Sequence, residues 1–177
     1  MSVTLACRED LAPAGRVMRS VLDSDLGGYR SHWHADLDDL GAAYLERPRR
    51  ALFVSRDHDM VVGTAAVRPC ALLSPPNPDW LAAEYNRDDT CQLVRVWVDA
   101  AARRGGHGRA LVRAAAAWAV GVGGYRRIYL HTDARVRGAE AFWRAMPTRL
   151  VHDARDAVGR CVHFELEARA WVREKAR

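Results

Sequence analysis

The stretch Cys91–Ala119, CQLVRVWVDAAARRGGHGRALVRAAAAWA, decides how the rest of the chain is read. At its start Val94, Val96 and Val98 alternate with Leu93, Arg95 and Trp97, which is the period of a strand with two faces. Further on, Leu111, Ala115, Trp118 and Val122 recur with a helical period, predicting a helix over Arg109–Val120 that Gly121, Gly123 and Gly124 stop. Between the two lies Arg103–Leu111, RRGGHGRAL. A helix N-terminus ordinarily recruits acids, because its first amide hydrogens are unpaired and partly positive. This one gathers Arg103, Arg104 and Arg109 around Gly105, Gly106 and Gly108 instead. The glycines leave the backbone open to a ligand, and the arginines are unfavourable there without an anion. The loop therefore reads as a cradle for a phosphate or pyrophosphate. A plain strand-to-helix turn with solvent-facing arginines is the alternative.

Other glycine-loop chemistries fit poorly. No GK[ST] is present, as a nucleoside triphosphate loop requires. For a dinucleotide fold the loop lies too far along the chain, lacks the third spaced glycine, and has Arg126 and Arg127 where a ribose-binding acid belongs.

Outward from this core, Val3–Arg8 alternates as a strand, Leu11–Leu22 has a helical period, and His34–Leu45 predicts a second helix with Asp36, Asp38 and Asp39 in its first turns. Ala51–Arg56 and Met60–Val67 read as a hairpin around a polar turn. Leu72–Thr90, with Pro75, Pro76 and Pro78, is an irregular excursion holding a short helix at Trp80–Tyr85. Ile128–Asp133 is a strand, Ala139–Met146 a helix ended by Pro147, and Arg149–Ala154 and Cys161–Glu167 are two last strands. The central strand–helix–strand unit demands a parallel pair with a right-handed crossover.

A chain of 177 residues is expected to form one domain, residues 1–167, followed by a charged tail or terminal helix over 168–177. No apolar run approaches the roughly 20 residues of a membrane span, and MSVTLACRED lacks the pattern of a secretory signal, so the expected location is the cytoplasm. Cys7, Cys70, Cys91 and Cys161 show no metal-ligand spacing, so no metal is expected and buried free thiols are the simplest reading. The net charge of +5 comes almost wholly from arginine, Lys175 being the sole lysine.

The pattern LVRVWVDAAARRGGHGRALVRAAAAWA resembles the coenzyme A segment of the GNAT superfamily of N-acetyltransferases. The signature there is Gln or Arg, two residues, Gly, one residue, then Gly or Ala, which Arg103, Gly106 and Gly108 match. The later AEAFWRAMP is similar to that family's Ala, two residues, Phe-Tyr segment, and the order of elements agrees from Val3 to about Glu167. The resemblance implies an α/β fold with a mixed, largely antiparallel sheet, a central splayed parallel strand pair and helices on both faces. It implies acetyl-coenzyme A as donor, with Val96, Trp97 and Val98 along the pantetheine arm, Arg103, Arg104, Gly105, Gly106, His107, Gly108, Arg109 and Ala110 around the pyrophosphate, and Trp143 nearby.

Departures from the family pattern fall on the proton-transfer residues. Gln92 stands where many members have a glutamate base, Trp143 where many have a tyrosine acid, Val136 where an asparagine is common, and Met146-Pro147 in place of Gly-Phe. His131, with Asp133 beside it, is the candidate catalytic group; the alternative is a half-buried histidine and a loop-capping aspartate. His32 and His34 lie in a region that borders the acceptor in the family, His107 reads as shaping the loop, and Cys91 is not needed for direct transfer.

For the acceptor, a small-molecule primary amine, the candidate contacts are Tyr29, Trp33, Glu84 and Asp88. Asp23, Asp25, Glu84, Asp88 and Asp89 raise the expectation of a cationic amine, against the alternative of solvated loop charges. No nucleic acid or membrane partner is expected, and a homodimer is compatible with the chain. A protein that binds acyl-coenzyme A without catalysis is the rival reading, motivated by Gln92 and Trp143.

Overall fold

The structure is a computed structural model that describes residues 1–168, so the expected tail or terminal helix lies, beyond Ala168, outside the described residues. In chain order the elements are β1 (Ser2–Leu5), α1 (Leu11–Asp25), α2 (Ser31–His34), β2 (Ala51–Asp57), β3 (Met60–Pro69), α3 (Asp79–Tyr85), β4 (Thr90–Val98), α4 (His107–Gly121), β5 (Arg127–Asp133), α5 (Ala139–Arg144), β6 (Thr148–Ala154) and β7 (Cys161–Leu166). The seven strands form one mixed sheet in the order β1-β2-β3-β4-β5-β7-β6. Its one parallel pair among the registered strands is β4 with β5. This is the α/β architecture that the sequence predicts.

The chain divides into two compact units, and β4 gives its first residues to one and its last to the other. In the unit Met1–Arg68 with Val94–Ala115, β1, β2 and β3 run antiparallel. α1 buries Ala14, Val17, Met18, Val21 and Leu22, the stripe that a 3.6-residue period produces. Met18 and Leu22 join Leu37, Leu40, Tyr44, Leu52, Val54 and Ala66 in one apolar cluster. Truncating a residue such as Leu22 to alanine there costs about 2–5 kcal/mol. α1 ends where Gly27, at φ 73, turns the chain so that the Gly28 amide donates to the Leu22 carbonyl at 2.9 Å.

The helix expected over His34–Leu45 is broken. Ser31–His34 is a single α turn, Ala35–Leu37 a 3-10 turn and Gly41–Leu45 a π turn. Asp39 Oδ1 accepts the Ala42 amide at 2.9 Å, capping the π turn from within the segment that was to be one helix.

In the unit Pro69–Leu93 with the chain from Ala116 on, β5, β7 and β6 are antiparallel neighbours, and β4 joins β5 through Thr90↔Arg127, Cys91↔Ile128 and Gln92↔Tyr129. That parallel ladder ends at Gln92, although β4 continues to Val98. Cys70, Leu72, Leu81, Tyr85 and Tyr129 form the unit's apolar cluster. Arg127 ties it at the rim, donating to Glu84 at 2.7 Å and Glu165 at 2.9 Å while stacking over Tyr85. Among the described residues no helix is long and apolar enough to cross a membrane.

Candidate active site

The alternation read from Val94–Val98 does not survive in the structure. The Asp99 amide donates to the Val62 carbonyl and the Cys70 amide to the Thr90 carbonyl, so eight steps along β3 face nine along β4. The extra residue is a β-bulge at Arg95, whose φ of 55 lies in the left-handed region. In consequence Val94 and Trp97, three apart, both pack against the cluster of Met18 and Tyr44, where strict alternation puts them on opposite faces. The Arg95 guanidinium turns to Asp36, with Nε 3.0 Å from Oδ2 and Nη2 2.6 Å from Oδ1, and also reaches the Trp33 carbonyl at 2.6 Å. Asp36 accepts from the Tyr44 hydroxyl as well. Burial pulls the Asp36 carboxyl up, but Arg95 and Tyr44 outweigh it and hold it below its ordinary value.

After β4 comes the loop. Arg104 at φ 65 and Gly106 at φ 84 turn the backbone into α4, and among the described residues no partner takes the amide hydrogens of residues 104–109. Successive unpaired amides in such turns at a helix N-terminus make a concave anion site. The side chains divide the work unequally. Arg103 donates to Asp25 at 2.5 Å and to the Val98 carbonyl at 3.1 Å. Arg104 and Arg109 are exposed and make no hydrogen bond or ion pair among the described residues. The His107 ring is buried, with Nδ1 2.8 Å from the Ser55 hydroxyl, so it anchors the start of α4 to β2 and offers a ligand only its amide. Gly105 has its own reason: a Cβ there meets the His107 ring at 3.1 Å and the Ala102 carbonyl at 3.3 Å.

On the segment after α1, Tyr29 and Trp33 are both exposed, Tyr29 donating to Asp38 at 2.5 Å. Arg19 lies over the Tyr29 ring and Arg30 over Trp33. His34 is buried, accepts the Arg30 amide at Nδ1, and is held below its ordinary pKa by burial and then by Arg95. His32 remains exposed against Trp33. Of the acids expected to attract a cationic acceptor, Asp25 is engaged by Arg103 in this unit.

In the second unit Gln92 is buried and its amide lies 3.3 Å from Nδ1 of His131, so two residues singled out separately in the sequence are brought into contact. Asp133 serves as a loop cap, bonding the Arg135 amide and guanidinium; burial opposes its ionisation, yet Arg135 keeps it below the usual carboxylate range. Glu84 is engaged by Arg127, and Asp88 is exposed. Trp143 is buried on α5 with its ring edge-on to Phe142. Behind His131, the ring of His163 stands opposite it on β7 and that of His152 opposite on β6, a row across three strands that the sequence, read strand by strand, does not reveal.

Comparison with known proteins agrees with this geometry. A model of the acetyltransferase (GNAT) family matches residues 18–146. Among solved structures, yncA from Salmonella typhimurium, determined with its cofactor acetyl-CoA, is similar with a TM-score of 0.72 and 16% identity, over 94% of this chain and 93% of that one. A GNAT-family acetyltransferase from Staphylococcus aureus Mu50 gives 0.70 and 14%, over 93% and 97%. Aminoglycoside 6'-acetyltransferase type Ii gives 0.63 and 14%, over 93% and 95%. At these identities the likeness is one of fold. No curated protein matches the chain in sequence. With the family match spanning most of its length, the chain belongs to the GNAT family of acetyltransferases.

Proposed function

We propose that this protein transfers an acetyl group from acetyl-coenzyme A directly to a primary amine of a small molecule. The observation that carries the reading is the run of amide hydrogens at residues 104–109 that have no partner among the described residues, in a loop that exposes Arg104 and Arg109. These residues fit a pyrophosphate: the amides supply directional donors, the glycines room, and the arginines mobile charge. When bound, the coenzyme supplies an acetyl thioester, a carbonyl carbon open to attack by nitrogen.

The chain's own residues do the rest. Val96, Trp97 and Val98, beyond the end of the parallel ladder, offer backbone groups to the pantetheine arm. An amide of this stretch polarises the thioester carbonyl, where negative charge grows as nitrogen attacks. His131 accepts the proton that the amine loses. What supports this role is its exposure and its contact with Gln92, which replaces a base by a residue that orients one. The atom of Gln92 at Nδ1 of His131 is its amide nitrogen, Nε2, at 3.3 Å; the proposed step uses the amide rotated to present Oε1 to Nδ1–H, which leaves the ring's lone pair on its own Nε2. The indole of Trp143 cannot protonate the departing thiolate, so water performs that step.

The segment proposed to meet the acceptor exposes Tyr29 and Trp33, with Arg19 and Arg30 over their rings, and Asp25 already carries Arg103. Mass spectrometry of acetyl-coenzyme A incubations with pooled small primary amines tests the function. The expected result is a product heavier by one acetyl group that is absent without protein; binding of acetyl-coenzyme A with no product from any amine contradicts it.

A further inference from the structure

We propose that Arg95 and Asp36 are positioning residues that hold the β4 bulge in the conformation acyl transfer uses, and so set the backbone of Val96–Val98 against the acceptor segment. This inference rests on the function proposed above. Its starting point is that Arg95 occupies a left-handed backbone conformation, φ 55, in the middle of a strand. A residue with a β-carbon is crowded there by its own carbonyl, and such a position persists only when its surroundings over-determine it. Glycine is the residue that meets this backbone demand at least cost. Arginine at the position therefore points to a use for the side chain.

That use is visible. The backbone of Arg95 is held by the buried Thr64, whose hydroxyl donates to the Arg95 carbonyl at 2.9 Å. Its guanidinium forms a two-pronged pair with Asp36, bonds the Trp33 carbonyl and lies over the Trp97 ring, 5.1 Å from the centroid. Both side chains of the pair are nearly closed to solvent, 11% and 13% exposed, and Asp36 takes a further bond from Tyr44. Trp33 and Asp36 belong to the segment proposed to meet the acceptor, whereas Trp97 belongs to the strand proposed to hold the donor. One planar fork thus registers the two stretches within the same unit. A lysine ammonium carries the charge without the fork and cannot reproduce the pairing.

Three variants separate positioning from folding. Arg95→Gly suits the backbone turn and removes the fork, Arg95→Lys keeps the charge, and Asp36→Asn keeps the shape of the partner. Each is expected to weaken coenzyme A binding by a smaller factor than it lowers kcat, because residues 104–109 are untouched and only the pantetheine contacts of Val96–Val98 are disturbed, while kcat falls about tenfold to a hundredfold, in the range a misplaced reacting group costs. A purely structural role predicts the opposite for Arg95→Gly: recovered or parental kcat. Parental kcat in any folded member of the set overturns the inference, and Asp36→Asn keeps it testable where an Arg95 variant does not fold. Hydrogen–deuterium exchange of the peptide covering Val94–Val98 supplies a readout independent of turnover. Faster exchange there in Asp36→Asn, with β1 and β2 unchanged, is expected; unchanged protection overturns the inference. An absence of turnover in the parent itself contradicts the proposed function and leaves the exchange result to decide this one.

Discussion

Arg103 gives its guanidinium to Asp25 at 2.5 Å and to the Val98 carbonyl at 3.1 Å, so the first arginine of the glycine loop is a strut for the loop. The work of meeting an anion then falls to the backbone amides, Arg104 and Arg109. Replacing Arg104 or Arg109 by alanine is expected to weaken coenzyme A binding about tenfold each, the scale of one charged hydrogen bond in a solvent-exposed site. Isothermal titration at two salt concentrations checks this: both variants lose part of the parent's salt dependence. Arg103→Ala is expected to change affinity less and to lower Tm instead, because it frees Asp25 and Val98.

His131 in contact with Gln92 leads to a kinetic prediction. His131→Ala is expected to lower kcat about a hundredfold or more, within the usual span for a general base, with the KM for acetyl-coenzyme A little changed. Gln92→Leu keeps the volume and removes the orienting amide, and is expected to lower kcat about tenfold. Steady-state rates measured with any accepted amine decide it; an unchanged kcat in His131→Ala removes this residue from the proton path.

His163 predicts how stability varies with pH. Burial, followed by the nearby His131 and His152, pushes its pKa down to about 3, and the Tyr129 hydroxyl oxygen lies 2.5 Å from its Nδ1. In the folded protein the ring therefore stays neutral, whereas in the unfolded chain it takes up a proton below about 6.5. Its contribution to stability is complete above about pH 6.5 and is lost as the pH falls from there toward 3. The loss approaches about 1.4 kcal/mol per pH unit. The carboxylates held low, Asp36 and Glu165 among them, add their own loss only at more acidic pH. Between pH 6.5 and 5 the slope of stability against pH is therefore expected to flatten in His163→Gln, read from urea melts; an unchanged slope contradicts the assignment.

Gly63 tests the packing beneath the donor strand. A Cβ there lies 3.0 Å from Leu111 Cδ1, 3.2 Å from the Trp97 carbonyl and 3.3 Å from Val98 Cγ2. The carbonyl cannot yield without moving β4. Gly63→Ala is expected to cost about 1–3 kcal/mol, seen as a fall in Tm of about 2–4 °C for each kcal/mol in a chain of this size. A Tm equal to the parent's shows that the strand has slack the structure does not display.

The parts of this fold that were legible in the sequence are those written in local period. The central strand, the glycine loop, the helix after it and the parallel strand were all readable from Cys91 to Asp133, because alternation, helical spacing and glycine punctuation are properties of neighbours. What was not legible is set by distant contacts. The stretch VRVWV alternates without a flaw, yet β4 bulges at Arg95, held by Thr64 and by Asp36, residues far along the chain. His34–Leu45 has the period of a helix, but Asp36 is drawn to Arg95 and Tyr44 while Asp39 caps Ala42, and the segment breaks into short turns. The loop's arginines look alike in sequence; only the pairing of Arg103 with Asp25 tells them apart. Likewise nothing local foretells that the His107 ring turns inward to Ser55.

Whether residues 104–109 hold coenzyme A is decided by calorimetric titration of the coenzyme into the parent and into an Arg104→Ala, Gly106→Glu double variant. The second substitution adds a carboxylate and also strains the loop, because Gly106 sits at φ 84, a left-handed conformation that favours glycine, although its nearest neighbour is Met1 Cε at 3.9 Å. The parent is expected to bind and the variant, folded by circular dichroism, to bind about a hundredfold more weakly or worse, having lost one cationic contact, strained the loop and gained a like charge against the pyrophosphate. Equal affinity in the two proteins contradicts it.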